Sequence, residues 1–169
     1  MKFRELKKEE LEIFIEGIQN AFQYGYERYF GKCEETIIPR EDILSSYNQP
    51  TAKAFCMEED GKIIGGAIIS IDTKTNVHNL EILYVCNDCQ SKGVGYKIWS
   101  NIEETFKDAK VWRTCTLYFD ERNVNFYVNK CKFHIVEFFN KYHPDPNMKE
   151  DFIGDAGEGM FEFEKIIMK

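Results

Sequence analysis

VCNDCQSKGVGY, residues 85–96, joins an apolar strand pattern to an amphipathic helix pattern. The strand pattern covers residues 78–85 and the helix pattern covers about residues 92–107. Gly93 and Gly95 in such a turn let backbone N–H groups approach a ligand, and a helix N-terminus favours a bound phosphate. The turn therefore predicts a phosphate cradle, although an ordinary tight turn would carry the same two glycines.

The strand before this turn is apolar on both faces, which is typical of a central strand. Regular alternation places its side chains in two rows, one with Leu80, Ile82 and Tyr84 and the other with Glu81, Leu83 and Val85. A central strand that is followed directly by a helix offers a natural ligand crevice at its carboxyl end.

Outward from this strand, the apolar periodicity predicts further strands and helices along the whole chain. Strands are predicted at residues 2–6, 52–58, 62–72, 111–119, 133–140 and 160–167, and helices at residues 8–22, 39–44 and 123–129. Asp60-Gly61 is typical of a hairpin turn. Residues 24–31 are expected to form a loop or irregular helical piece, because Gly25 and Gly31 interrupt them, and residues 143–159 a long loop. The order indicates a single α/β or α+β domain over residues 1–169, with a mixed sheet covered on both faces.

Composition excludes several classes of function. The chain has 169 residues, 43% of them hydrophobic, and a net charge of −7. An acidic chain is not generally attracted to nucleic acid or anionic lipid, so any anion must be held locally and we expect neither kind of partner. We find no membrane-spanning run and no export signal, and six cysteines without a disulfide pattern favour a reducing compartment. We therefore expect a cytoplasmic protein.

Residues 90–95, QSKGVG, resemble the Gln/Arg-x-x-Gly-x-Gly/Ala signature of the GNAT acyl-CoA-dependent N-acetyltransferases. The surroundings are similar too: residues 83–85 resemble the strand before the signature, residues 60–66 its preceding hairpin, and residues 125–133 its later tyrosine-containing helix and following strand. The resemblance covers nearly the whole chain. It implies a GNAT-like fold with a mixed, mostly antiparallel central sheet flanked by helices.

The resemblance also implies acetyl-CoA as co-substrate. We expect no metal, because the cysteines and histidines lack the spacing of metal ligands. The pyrophosphate of CoA would lie on the main chain of one segment, which contains Gln90, Lys92, Gly93, Val94, Gly95 and Tyr96. The pantetheine arm would lie beside Tyr84 and Val85, and the Val85 N–H would face the thioester carbonyl and stabilise its oxyanion. A primary amine attacks that carbonyl directly, so no enzyme nucleophile is needed.

Two residues are predicted to move protons. Tyr127 resembles the family's acid, which protonates the departing sulfur, although a tyrosine that only packs the short helix would look the same. Glu81 is the best base in the sequence, acting through a water, because alternation places it on the face of Val85. A structural carboxylate at that position is an equally good interpretation.

The chain departs from the family pattern at three places. Asp120 stands where an asparagine often contacts CoA, and because an acid repels phosphate we regard Asn123 as a weaker substitute. Lys132 replaces a glycine before Phe133, which puts the local bend in doubt. Cys86 and Cys89 stand where the family is variable, and we interpret them as unpaired thiols because no second ligand pair exists. His78, His134 and His143 are expected at the surface or at strand edges.

The acceptor is the least determined part of the function. Aromatic residues after the first helix either wall an acceptor site for a cationic amine or fill the core; they are Tyr24, Tyr26, Tyr29 and Phe30. Acidic residues of the late loop either attract a cation or are simply solvated; they are Asp145, Glu150, Asp151, Asp155 and Glu158. We expect a small-molecule amine and a possible homodimer. The alternative is a catalytically silent CoA-binding sensor or assembly module.

Overall fold

The computed structural model describes residues 1–147 and 159–167, which contain one seven-stranded sheet. Its strands are β1 (Lys2–Glu5), β2 (Ala52–Glu59), β3 (Lys62–Ser70), β4 (Val77–Val85), β5 (Val111–Leu117), β6 (His134–Phe139) and β7 (Met160–Ile166). The order across the sheet is β1-β2-β3-β4-β5-β7-β6, and β4 with β5 is its parallel pair. All seven predicted strands are confirmed, with ends that differ by at most two residues.

Helices cover both faces of the sheet, as predicted. They are α1 (Leu11–Phe30), α2 (Arg40–Tyr47), α3 (Val94–Thr105) and α4 (Glu121–Asn125), and α4 continues as one π-helical turn at Phe126–Lys130. The core on the α1 side contains Phe14, Ile18 and Tyr84, and the core on the α3 side contains Trp99 and Trp112. The two long helices, α1 and α3, each bury one apolar stripe against the sheet, and this fixes the two helical layers.

The predicted break after residue 22 is wrong, because α1 runs without interruption from Leu11 to Phe30. Its last turns carry Tyr26, Tyr29 and Phe30, whose rings lie 6.3, 5.6 and 4.7 Å from the ring of Phe119. This packing outweighs the helix penalty of Gly25, which is about 1 kcal/mol. The helix ends only at Gly31, whose φ of +81° suits glycine.

The predicted hairpin between β2 and β3 is confirmed. Asp60 and Gly61 have φ values of +50° and +75°, the left-handed conformation of both central residues in a type I′ turn. The turn fixes the pairing of Glu59 with Lys62 and so the register of the whole hairpin.

A β-bulge interrupts β4, and sequence alternation did not predict it. Ile68 pairs with Ile82 and Ile69 pairs with Leu80, so Glu81 is an extra residue on β4. As a result Leu80 packs in the α3-side core, whereas Ile82 packs in the α1-side core. The predicted single row of Leu80, Ile82 and Tyr84 is therefore wrong, and the alternation that placed Glu81 on the face of Val85 is broken at Glu81 itself.

His78 is also placed differently from the prediction. Its imidazole is completely buried and packs edge-on against Trp112 and Phe106, with ring centroids at 5.1 and 6.4 Å. His134 and His143 are exposed, as predicted.

Across the described part of the chain, no helix combines the length and apolar character that a bilayer span requires.

Candidate active site

A gap opens between β4 and β5 at the carboxyl ends of these parallel strands. Main-chain pairing covers only Val77, His78 and Asn79 with residues 111–113. The Cys86 N–H donates to Ile64 O on β3 at 2.9 Å. Because successive N–H groups of a strand point to opposite edges, the N–H groups of Leu83 and Val85 point away from β3, into the gap. The gap is thus lined on one side by main-chain donors.

At the mouth of the gap, residues 86–93 form a tight turn that leads into α3. Ser91 and Gly93 have φ values of +63° and +79°, and a Cβ on Gly93 would meet nothing within 4 Å. Left-handed residues next to a helix start turn successive N–H groups toward one point, and the first amides of α3 have no intrahelical acceptor. A non-glycine residue in this conformation is strained, which is common at ligand sites. The turn is therefore shaped as an anion cradle.

The residues predicted for the cradle are all on this turn or on the first turn of α3. Lys92 and Tyr96 are exposed beside it, whereas the Val94 side chain is buried in the α3-side core, so Val94 can offer only its main chain. Gly95 is close to β4, since a Cβ there would lie 3.5 Å from Val85.

Gln90 links the cradle to β4 and α4. Its Nε2 donates to Val85 O at 3.3 Å and to Asn87 Oδ1 at 3.4 Å, and its Oε1 accepts from the Arg122 guanidinium. Arg122 is a cation that the sequence analysis missed. The sequence did contain a signal for it. Gln90 follows β4 and Arg122 follows β5, and residues that follow two parallel strands meet at one edge of the sheet.

α4 and its π-helical turn cover the other side of the gap. The Phe126 ring lies 3.5 Å from the Cβ position of Gly95, so the start of α3 and the π turn touch. The π turn closes with Cys131 N–H donating to Phe126 O at 3.0 Å, and Lys132 follows with a φ of +66°. The bend that was in doubt at Lys132 is therefore made by a lysine in a conformation that glycine adopts without strain.

Tyr127 lies at the base of the gap with only 6% of its surface exposed. Its ring packs between Phe133 and Phe163, at 5.8 and 5.4 Å between centroids. Burial raises the pKa of the Tyr127 hydroxyl above its usual range, and a hydrogen bond with the Thr114 side chain opposes that rise. The Tyr127 phenol is thus neutral, and its hydroxyl is held by Thr114.

Asp120 and Asn123 both have structural hydrogen-bond partners. The Asp120 carboxylate accepts from the Asn123 N–H at 3.0 Å and caps the helix, which explains the acid at this position. The Asn123 side chain donates to Thr116 Oγ1 at 3.3 Å, so it faces β5 at the gap. The helix cap, and not a ligand, accounts for Asp120.

The face of β5 and β7 that points away from the α3-side core carries acidic residues. Glu81 is exposed on β4, and its charge acts on the Cys115 thiol of β5. Partial burial, with Asp145, Glu164 and Glu137 adding, raises the pKa of Glu162, and Arg113 lowers it. Of the acidic residues named for the late loop, Asp145 belongs to this face, while Glu150, Asp151, Asp155 and Glu158 lie outside the described residues.

The aromatic residues at the end of α1 stand near the carboxyl end of β5 and do not fill the core. Tyr24, Tyr29 and Phe30 are exposed, and the Tyr29 hydroxyl donates to Asp120 at 3.5 Å. They form a partly exposed wall at the edge of the sheet where the gap opens.

The cysteines near the cradle are free and shielded thiols. The Cys86 thiol donates to Ile63 O at 3.5 Å, and burial raises its pKa, so it is a weak nucleophile. Within residues 1–147 and 159–167, no three His, Cys, Asp or Glu side chains are grouped to hold a metal ion.

Comparison with known proteins gives the same assignment as the motif. Residues 15–133 match the Acetyltransferase (GNAT) family. The chain is 41% identical to the uncharacterized protein YrkN of Bacillus subtilis (strain 168), over 96% of this chain and 91% of that protein.

Two solved structures have the same fold. The ribosomal-protein-S18-alanine N-acetyltransferase of Escherichia coli superimposes with a TM-score of 0.73 at 14% identity, covering 99% of this chain and 94% of that one. The PaiA N-acetyltransferase of Thermoplasma acidophilum, solved in complex with coenzyme A, gives 0.68 at 18% identity and 98% coverage of both chains. With the family match over most of its length, this chain belongs to the GNAT family and is an acyltransferase.

Proposed function

We propose that this acyltransferase moves an acetyl group from acetyl-CoA to a small primary amine, by direct attack in a ternary complex. One observation carries the proposal: a row of main-chain donors on β4 runs from an anion cradle at the helix start toward a buried phenol at Tyr127. The N-acetyltransferases with the same fold, one of them in complex with coenzyme A, support it.

The cradle fits a diphosphate. The space around Gly93 is open, Ser91 and Gly93 turn their neighbours' amides outward, and Lys92 and Arg122 add positive charge on two sides. These fixed donors explain how an acidic chain can hold a polyanion. In this proposal the cradle residues bind the pyrophosphate, and Asn123 lies beside the path of the arm. The Tyr84 ring packs under α1 and its N–H points to β3, so Tyr84 offers the arm no hydrogen bond.

The thioester lies deeper than the cradle, between the β4 edge and Tyr127. The N–H groups of Leu83 and Val85 both point into the gap and are the main-chain donors on this edge of β4. In this proposal the Val85 N–H faces the thioester carbonyl and stabilises its oxyanion.

The proton balance assigns one role to each side of the gap. An alkylammonium ion first loses a proton to water, with Glu81 as the acceptor that relays it. The amine then attacks the carbonyl carbon, the C–S bond breaks, and Tyr127 gives its proton to the departing sulfur. The second proton lost by the nitrogen returns to Tyr127 through solvent, so one proton is released per turnover.

The acceptor approaches from the α1 side, where the aromatic residues at the end of α1 and the acidic face of β5 and β7 flank the gap. Both features favour a cationic amine. Two of the structural neighbours act on ribosomal-protein alanine, so a peptide α-amine is the second class of acceptor to test.

The test is a thiol-release assay with acetyl-CoA and a panel of polyamines, aminoglycosides, amino acids and alanine-terminated peptides. We expect release of the CoA thiol together with the mass increase of one acetyl group on a cationic small amine. Tight CoA binding with no thiol release across the panel would contradict transferase activity and identify a CoA-binding module.

The role of Tyr127 is tested with Tyr127→Phe, which keeps the ring and removes the acid. We expect turnover to fall by roughly tenfold to a thousandfold with little change in acetyl-CoA affinity. Unchanged turnover would remove Tyr127 from the mechanism.

A further inference from the structure

Where the main-chain pairing of β4 and β5 ends, a threonine side chain makes the next hydrogen bond between the two strands. Asn79 with Arg113 is the last pair of the ladder, and the next two residues are Leu80 and Thr114. There the Thr114 Oγ1 donates to Leu80 O at 2.9 Å. The hydroxyl therefore occupies the closed end of the gap.

This hydroxyl lies in an otherwise apolar environment. Thr114 is 5% exposed, and its cross-strand partner is Phe163, which packs against the Tyr127 ring. Burying a hydroxyl costs free energy unless it is hydrogen-bonded, and the bond to Leu80 O meets that requirement. This bond uses the hydrogen of the hydroxyl, and its oxygen can still accept a second hydrogen bond.

The second partner of this hydroxyl is the Tyr127 phenol. The Tyr127 hydroxyl is hydrogen-bonded to Thr114, and a threonine oxygen can donate one hydrogen bond and accept another. Leu80 O, Thr114 and Tyr127 thus form a short relay that begins on β4 and ends at the phenol.

We propose that Thr114 is a positioning residue for Tyr127, holding the phenol at the sulfur side of the gap and donating to the tyrosinate once the proton has left. This inference rests on the proposed acid role of Tyr127. Before transfer, Tyr127 donates to Thr114 and Thr114 donates to Leu80 O. The phenol O–H first turns from Thr114 to the departing sulfur. As its proton passes to the sulfur, the Thr114 O–H turns from Leu80 O to the phenolate oxygen. Thr114 keeps its own proton throughout, and solvent returns a proton to Tyr127.

The turn of one hydroxyl matters because the phenolate is formed in a buried site. An unpaired charge there is costly, and a hydrogen bond to a charged group is roughly twice as strong as a neutral one. The Thr114 bond is therefore stronger after proton transfer than before, which is the condition for it to accelerate the step.

The experiment compares Thr114→Val, Thr114→Ser and Tyr127→Phe by kcat and by KM for acetyl-CoA. We expect Thr114→Val to lower kcat about tenfold or more with KM within about twofold, and Thr114→Ser to restore most of the loss. In the double variant Thr114→Val/Tyr127→Phe, the threonine change should cost nothing further, because its effect acts through the phenol.

A control variant separates this role from general stability. Thr51→Val makes the same chemical change in the Thr51–Ser70 hydroxyl pair at 2.7 Å, away from the gap, and should leave kcat unchanged. Unchanged kcat in Thr114→Val, or equal loss in the presence and absence of Tyr127, would overturn the positioning role. Unchanged kcat in Tyr127→Phe would instead refute the acid role on which it rests.

Discussion

Lys132 adopts a backbone conformation that its side chain disfavours. Its φ of +66° lies in the left-handed region, directly after the π-helical turn, and Phe133 N–H donates to Tyr127 O at 2.9 Å across the bend. Left-handed backbone costs an L-residue about 1 to 2 kcal/mol, and glycine avoids that cost. The bend is thus kept by the surrounding contacts and not by local preference.

We predict that Lys132→Gly raises the free energy of unfolding by about 1 kcal/mol, measured by urea denaturation. The matched control is Lys132→Ala, which also removes the exposed hydrogen bond from Lys132 Nζ to Asn129 O but keeps the Cβ. A glycine variant no more stable than the alanine variant would show that the bend carries no strain.

Arg122 is the second residue whose role can be isolated. Its guanidinium contacts Gln90 at the cradle, so it both adds positive charge and holds the amide that binds Val85 O. We expect Arg122→Met to weaken CoA binding about five- to tenfold in calorimetry, and to flatten its salt dependence.

The control for charge alone is Arg113→Met. Arg113 pairs with Glu164 at 3.1 Å on the acidic face of β5 and β7, so its loss changes the net charge equally but does not change the cradle. Equal weakening of CoA binding in both variants would mean that Arg122 acts only through overall charge.

At the scale of elements, α1 contains two glycines with opposite requirements. A Cβ on Gly17 would lie 2.7 Å from the Tyr84 ring, whereas a Cβ on Gly25 would meet nothing within 4 Å. The first glycine lets the helix approach β4 beside the gap. The second only weakens the helix.

We predict opposite effects of the same substitution at these two positions. Gly25→Ala should raise the free energy of unfolding by about 0.5 to 1 kcal/mol, and Gly17→Ala should lower it by about 1 to 3 kcal/mol. Thermal denaturation of the two variants side by side measures both. If Gly17→Ala is as stable as wild type, α1 does not pack as closely on Tyr84 as described.

Elements defined by local sequence were predictable, and those defined by distant contacts were not. Asp60-Gly61 specified its own turn, and the strand and helix around Gly93 followed from periodicity. The length of α1 depends on Phe119, nearly a hundred residues away, and the Glu81 bulge depends on pairing with β3. Neither leaves a local pattern. For the same reason the insertion of β7 between β5 and β6 could not be read from the chain.

The site shows the same division. The turn before α3 was predictable because its glycines and the helix start are contiguous, and only the family resemblance pointed to Tyr127. Thr114 and Arg122 act through side chains on other elements, so their relation to Tyr127 and Gln90 exists only after folding.

At the scale of the whole molecule, an ionic cluster connects the residue before α1 with β1 and β2 of the sheet. Arg4 on β1 contacts Glu10 before α1 at 2.8 Å twice, and Glu58 on β2 at 2.7 Å. Hydrogen bonds from Arg4 and the Lys7 N–H lower the pKa of Glu10 to about 2. The cluster links β1, β2 and the residue before α1 through one set of ion pairs.

This coupling predicts an acid-dependent loss of stability. The pKa of Glu10 is lower in the folded chain than its unfolded value of about 4.3. Its contribution to the free energy of unfolding is therefore complete above that value and is lost as the pH falls toward about 2. Glu10→Gln should lower the melting temperature at pH 7, and the gap to wild type should close between about pH 5 and pH 2. The exposed neighbour variant Glu9→Gln is the control. A gap that stays constant with pH would contradict the ionic origin.

The most direct test of the central claim is calorimetric titration of acetyl-CoA into the wild-type chain and into Gly95→Glu, which adds a carboxylate to the cradle. The claim is that main-chain donors at the start of α3 hold the diphosphate and direct the thioester toward Tyr127. It predicts saturable one-to-one binding to the wild type and a loss of at least about tenfold in the variant. A flat wild-type titration, or equal affinity of the two proteins, would contradict it.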